Sequence, residues 1–318
     1  MTDPTTTDTI DPSLDLRAEI LRLKRERNAI LLCHYYQDEE LQDLADELGD
    51  SLALARRAAQ TDADVIVFCG VHFMAETAKI LNPDKLVLLP DPKAGCSLSD
   101  RCPESDFRGF LARYDDPFVI SYVNSSAAVK AMSDVICTSG NVLRIVERAP
   151  SDRTIVFAPD QHLGRFAAQK TGRELVLWPG SCEVHEIFSE KALVQLKCRH
   201  PEALVVAHPE CQERVLRHAD FIGSTQAMLA KIAAAPHEAF IVVTEPGVLH
   251  EMRKRAPGKR FFTVPNEAGC ACNTCPHMRL NTLEKLYLCL RDRVPAIEMP
   301  PALRERAAKP LQRMLEWS

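Results

Sequence analysis

ILLCHYY (residues 30–36), FVISYVN (118–124) and LVVAHPE (204–210) are three copies of one pattern. Each is an apolar run that ends in two polar side chains two residues apart: His34 and Tyr36, Tyr122 and Asn124, His208 and Glu210. A continuous apolar run of this length reads as a strand covered on both faces, and a polar pair at its end has left the core. The rest of the chain repeats around these copies. A hydroxyl opens a helical pattern at Ser51 (GDSLALA), Ser139 (CTSGNVL) and Thr225 (GSTQAML), where it can serve as a helix cap. A β-rich run followed by a helix-period segment recurs as VIVFCGVHFMAETAK (65–79), TIVFAPDQHLGRFAAQK (154–170) and FIVVTEPGVLHEMRK (240–254). A short strand closes each copy on proline, at LVLLP (86–90), LVLWP (175–179) and FFTVP (261–265). Positions 34, 122 and 208 are spaced by 88 and then 86 residues, as are 51, 139 and 225. Chance similarity between apolar strands does not keep four features in one order at one period.

Each copy reads as strand, helix, short strand, helix, strand, helix, short strand. That alternation calls for a parallel sheet with right-handed crossovers and helices on both faces. The expected organisation is a tail over residues 1–16 and αβα repeats over 17–100, 101–185 and 186–276. The segment 277–318 is expected to pack on the first repeat, ending in an amphipathic helix (302–318) interrupted at Pro310.

Composition narrows the function. The 318 residues carry 39 Lys and Arg against 44 Asp and Glu, a net charge of −5, with no basic block to follow a phosphate backbone, so nucleic acid is not an expected partner. Apolar runs such as VIVF and LVLL are too short to span a bilayer, and the N-terminus has neither the basic start nor the apolar stretch of an export signal. A cytoplasmic protein is expected. Twelve cysteines in such a chain read as buried small side chains or metal ligands rather than a disulfide framework. Cys33, Cys69, Cys137, Cys198 and Cys289 lie in apolar or helix-period contexts and read as core residues. His72, His162, His218 and His237 fall outside the repeated strand ends and read as surface or packing residues.

A further cysteine follows the closing proline of each copy: Cys96 in AGCSL, Cys182 in PGSCEVH, and one of Cys270, Cys272 and Cys275 in PNEAGCACNTCPHM. Three repeats packed about a pseudo-threefold axis bring these cysteines together opposite the ring of His, Tyr, Asn and Glu. Three thiolates at the floor of a small-molecule cavity suit a 4Fe-4S cluster with one open iron. The competing reading is a closed zinc site made from Cys270, Cys272, Cys275 and either His277 or Cys289, which leaves Cys96 and Cys182 without a purpose.

With CHYYQ (33–37), GDSLALA (49–55), FMAETAKIL (73–81), AGCSL (94–98), YVNSSAAVKA (122–131), APDQHLG (158–164), GSCEVH (180–185), AHPEC (207–211) and CNTCPHMRLNTLEKL (272–286), the sequence closely resembles the quinolinate synthases, iron–sulfur enzymes of de novo NAD biosynthesis. The resemblance runs from about residue 17 to the C-terminal helix. It implies three αβα sandwich domains in a pseudo-threefold arrangement around a central 4Fe-4S cluster, with Cys96, Cys182 and Cys275 as ligands. It also implies condensation of iminoaspartate with dihydroxyacetone phosphate to quinolinate, phosphate and two waters, and functional coupling to an L-aspartate oxidase. On that reading Glu210 is the candidate general base, Tyr36 and His208 its proton partners, and His34 and Tyr122 orienting groups. Ser51, Asn124, Ser139 and Thr225 join His34, Tyr122, His208 and Glu210 in binding substrate, and YVNSSAAVKA is a candidate lid. Gly140 departs from the family, standing where a second hydroxyl is common. The rival functions are a 4Fe-4S hydro-lyase acting on a hydroxy acid and a zinc-stabilised scaffold or binding protein.

Overall fold

A computed structural model describes residues 10–268 and 273–318. The chain divides into two compact units, one ending at Gly95 and taking in Pro276–Pro300, the other formed by Cys96–Cys275 and Pro301–Ser318.

The first unit holds one parallel sheet of β1 (Ala29–His34), β2 (Glu47–Gly49), β3 (Val65–Cys69) and β4 (Leu86–Leu88), in the order β2-β1-β3-β4. The second unit holds two more. One is built from β5 (Phe118–Tyr122), β6 (Val135–Cys137), β7 (Ile155–Ala158) and β8 (Val176–Leu177), in the order β6-β5-β7-β8. The other is built from β9 (Leu204–Ala207), β10 (Phe221–Ile222), β11 (Ala239–Val243) and β12 (Arg260–Thr263), in the order β10-β9-β11-β12. Among the described residues the fold is therefore α/β, with three parallel four-stranded sheets of one topology. The central strands are buried almost end to end, as strands covered on both faces must be.

The repeat extends to side chains that the sequence comparison did not single out. Asp46, Asp134 and Asp220 each precede the second strand of their sheet. The carboxylates accept the backbone N–H of Leu31, Val119 and Val205 at 2.7, 2.8 and 2.8 Å, and the aspartates' own N–H groups donate to the carbonyls of the same three residues. One short acidic side chain thus ties the loop to the central strand in every copy.

Each sheet reverses its direction of growth between its first and third strands. The carboxyl ends of those two strands flank a crevice, the place where open α/β sheets put their ligands. The polar pairs after β1, β5 and β9 lie at that edge, and so do the residues after β7 and β11.

The C-terminal helix is placed differently from the expectation. It runs unbroken from Pro301 to Trp317, with Pro310 inside it, and packs in the second unit against β6 and the helices Ala127–Lys130 and Val142–Arg148, not on the first repeat. Its apolar stripe of Ala307, Pro310, Leu311 and Met314 is buried, Trp317 stacks on Phe118 and Arg313 donates to the Asp134 carbonyl at 2.7 Å. The proline costs one helical hydrogen bond, but its ring belongs to the buried stripe, so the helix continues through it. The preceding segment does join the first sheet: helix Leu283–Asp292 sends Leu286, Cys289 and Leu290 into the core with Leu31, Cys33 and Cys69.

Cys33, Cys69, Cys137 and Cys289 are core residues, as are Cys102 and Cys211, whereas Cys198, expected in the core, is exposed on helix Glu190–Arg199. Burial of Cys289 among leucines removes it from any closed zinc site. Cys270 and Cys272 lie outside the described residues.

Candidate active site

Four loops of the second unit converge on Glu210. His208 and Glu210 follow β9, and both are buried to within 3% of full burial. Glu210 Oε2 stands 3.1 Å from His208 Nδ1 and 3.0 Å from His185 Nδ1, so one carboxylate oxygen is shared by two imidazoles. The rings of His185 and His208 stack with centroids 4.7 Å apart. His208 Nε2 reaches the Ser139 hydroxyl at 3.2 Å, and His185 Nε2 reaches the Thr244 hydroxyl at 3.0 Å. Two hydrogen-bonded arms, Glu210–His208–Ser139 and Glu210–His185–Thr244, therefore start from one carboxylate. Burial alone would raise the Glu210 carboxyl, but the two imidazoles hold it below the ordinary carboxylate range.

Cys182 stands beside this group, its sulfur 3.3 Å from His185 Nδ1. Among the described residues, Cys182, His185 and Glu210 form a set whose ligand atoms all lie within 4.8 Å of one another and can hold a metal. Cys96 and Cys182 each sit immediately before a single helical turn, Ser97–Asp100 and Glu183–Glu186, and the Ser97 hydroxyl accepts the Glu183 N–H at 3.4 Å, which sets the two turns side by side. The Cys275 N–H donates to the buried Glu245 carboxylate at 3.3 Å. Burial, with Cys275 and Glu210 adding to it, pushes the Cys96 thiol up to about 12, and burial and Glu210 likewise raise Cys182. Thiols gathered beside a carboxylate ionise only when a cation compensates them, and Glu210 Oε1, Asp160 Oδ2 and Asn124 Oδ1 are buried with no hydrogen-bond partner among the described residues. The donor set fits a thiolate-bound metal group and a bound polar substrate.

Asp160, Thr244 and His185 escaped the reading of the sequence. Asp160 and Thr244 follow the third strands β7 and β11, across the crevice from the polar pairs. His185 lies one turn beyond Cys182, a Cys-x-x-His spacing that was the available signal. Asp160 is fully buried and caps helix Gln161–Thr171 by accepting the Leu163 N–H at 2.7 Å, and burial together with Glu210 raises its carboxyl well above the usual range.

The three hydroxyls expected to bind substrate, for which capping was the alternative, are not caps. Asp50 and Ser224 cap helices Ser51–Gln60 and Thr225–Ala234, one residue before Ser51 and Thr225, and Ser139 bonds His208. At Ser51 and Thr225 capping falls to the preceding residue, and helix Val142–Arg148 starts after Asn141 without a side-chain cap, so none of the three hydroxyls is used up by capping. Tyr122 ends β5 and is buried, while Asn124 is half-buried. In the first unit, Tyr36 packs edge-on against His34 with centroids 4.5 Å apart, and its N–H donates to His34 Nδ1 at 3.2 Å. The Glu210 N–H lies 3.4 Å from His208 Nδ1 in the same way. Of the histidines set aside, His162 is buried against Glu186 and His218 pairs with Glu190, both at 2.7 Å.

Gly180 allows two of these loops to meet. A Cβ at this position would lie 2.4 Å from the Pro159 carbonyl oxygen, a backbone atom that cannot swing aside. Gly180→Ala is therefore expected to cost about 2–4 kcal/mol, read as a drop in the thermal midpoint, and to displace both Asp160 and Cys182. An unchanged midpoint would show that the loops have slack. Ser139→Ala, which removes a single hydrogen bond to His208, is expected to lower kcat/KM about fivefold to tenfold with little change in stability.

A repeated parallel α/β scaffold with imidazole, carboxylate and thiol groups gathered at its strand ends is that of an enzyme whose site can hold a metal. The family described as Quinolinate synthetase A protein matches residues 18–316, and the chain belongs to that family. It is 61% identical over 306 residues to the quinolinate synthase of Thermosynechococcus vestitus (strain NIES-2133 / IAM M-273 / BP-1), covering 96% of each chain. It is 60% identical over 304 residues to that of Microcystis aeruginosa (strain NIES-843 / IAM M-2473), covering 96% of this chain and 95% of the relative. The quinolinate synthase of Chloroherpeton thalassium (strain ATCC 35110 / GB-78) is 61% identical over 306 residues, with the same coverage.

Proposed function

We propose that this chain condenses iminoaspartate with dihydroxyacetone phosphate to form quinolinate, with release of phosphate and two waters. The observation that carries the reading is the Glu210 carboxylate shared by His185 and His208 beside Cys182, in a chain about 60% identical to quinolinate synthases over nearly its whole length. A hydro-lyase or a zinc scaffold is not favoured by that family membership.

Cys96, Cys182 and Cys275 would hold a 4Fe-4S cluster, which when bound supplies a Lewis acid at its open iron. Glu210 and His208 act as one proton-transferring pair. Oε2 is anchored by the imidazoles, so Oε1 is the oxygen that accepts a substrate proton in the enolisation and dehydration steps. His208 relays protons towards Ser139, whose hydroxyl, with Asn124, Tyr122 and Thr225, binds substrate oxygens. His34, Tyr36 and Ser51 are assigned to substrate binding, with Tyr36 as a proton partner, from their equivalent positions in the repeat. The protein works in the cytoplasm and draws iminoaspartate from an L-aspartate oxidase reaction. Among the described residues no helix is long and apolar enough to cross a membrane.

The test is an anaerobic incubation of the metal-loaded protein with dihydroxyacetone phosphate and iminoaspartate generated in situ, with quinolinate measured by chromatography. Quinolinate that depends on both substrates is the expected result, and none above an enzyme-free control would overturn the reading.

A further inference from the structure

YVNSSAAVKA, expected as a lid, is tied down from beneath. Lys130 ends helix Ala127–Lys130 and is completely buried. A buried ammonium is costly unless its donors are satisfied. Lys130 Nζ donates to the Val123 carbonyl at 2.9 Å and to the Ser125 carbonyl. These two carbonyls flank Asn124.

The first unit contains the same device in a neutral form. Gln42 ends helix Glu39–Gln42 and is buried, and its Nε2 donates to the Tyr35 carbonyl at 3.0 Å and the Gln37 carbonyl at 2.8 Å. Those carbonyls flank Tyr36. Gln42 and Lys130 are 88 residues apart, the period of the repeat, and in both copies the donor reaches back seven and five residues. In the third copy the corresponding residue is Leu216, with no amide or ammonium, and Pro209 stands where Tyr35 and Val123 stand. A proline ring fixes φ at that residue, which removes much of the freedom a clamp would have to restrain.

We propose that Lys130 and Gln42 are positioning residues, side-chain clamps that hold the strand-end loop so that its middle residue, Asn124 or Tyr36, is presented to substrate. The role at Asn124 rests on the function proposed above. The hydrogen bonds, not the charge, are what the two copies share, so glutamine at position 130 should do the work of lysine.

The experiment compares Lys130→Met with Lys130→Gln in the metal-loaded protein, using kinetics and backbone hydrogen exchange without substrate. Lys130→Met is expected to raise the KM for dihydroxyacetone phosphate about tenfold, with kcat changed much less, and to speed exchange across residues 122–126. Lys130→Gln is expected to restore both to within about threefold. A Lys130→Met protein with unchanged KM and exchange would overturn the proposal. So would a folded Lys130→Gln protein as impaired as Lys130→Met, since charge would then be the working property. If Lys130→Met does not fold, the same comparison is made with Gln42→Met and Gln42→Lys, where the lysine is expected to rescue exchange around Tyr36 and its failure to do so counts against the clamp. Exchange is read without turnover, so a wild-type protein that makes no quinolinate sinks the function while the clamp stands or falls by its own result.

Discussion

Glu210→Gln is expected to lower kcat by about 10²–10⁴-fold, the span usual for loss of a positioned proton acceptor, while iron content and visible spectrum stay those of the wild type. The amide is nearly the same size as the carboxylate, so the buried space remains filled. What disappears is the anion that His185 and His208 share at 3.0 and 3.1 Å. Both imidazoles then lose the group that orients them, and the unpartnered oxygen Oε1 loses its basicity. Turnover should therefore fall much further than substrate affinity. A variant with near-normal activity in an anaerobic assay would remove Glu210 from the role of base.

Acid sensitivity supplies a second readout. The folded protein holds the Glu210 carboxyl below its ordinary value, so the ionised form stabilises the native state above the unfolded value of about 4.3. That contribution is lost as pH falls from there towards the depressed native value. Glu210→Gln has no such group to protonate. Its stability should fall less steeply than that of the wild type below about pH 4.

The sequence revealed what recurs and concealed what each copy does differently. His34, Tyr122 and His208 were legible because the first strand of each sheet ends on a polar side chain, and a period kept through four features is not accidental. Asp160 and Thr244 were not legible. The third strands end as CGV (69–71), APD (158–160) and VTE (243–245), which match at no equivalent position, so the far wall of the crevice left no repeated mark. Ser51 and Thr225 were open to two readings, cap or substrate-binding group, because a helix start written Asp-Ser or Ser-Thr offers two capping residues, and only geometry shows that the first of each pair takes the role. The C-terminal helix was misplaced for a related reason: its stripe of Ala307, Pro310, Leu311 and Met314 requires an apolar partner but does not specify which sheet supplies it.

Cys182→Ser is expected to abolish both cluster and activity, and it separates the proposed three-cysteine site from the set of Cys182, His185 and Glu210 that the geometry brings together. With Cys96, Cys182 and Cys275 as ligands, the wild type purified without oxygen should carry about four irons and four sulfides per chain and absorb broadly in the visible, and Cys182→Ser should carry neither. The serine hydroxyl is a far weaker ligand than a thiolate, and two remaining cysteines do not retain the cluster. A single ion held by Cys182, His185 and Glu210 would respond differently, since His185→Ala would remove it and no sulfide would accompany it. In the three-cysteine arrangement, His185→Ala keeps iron and sulfide and loses turnover. Cys137→Ala serves as the control: this cysteine is fully buried in β6, and removing its sulfur from the core should lower the thermal midpoint while leaving the metal content alone. Retention of iron, sulfide and colour by Cys182→Ser would refute the three-cysteine site, because burial beside Glu210 leaves this thiol no reason to ionise except a bound metal.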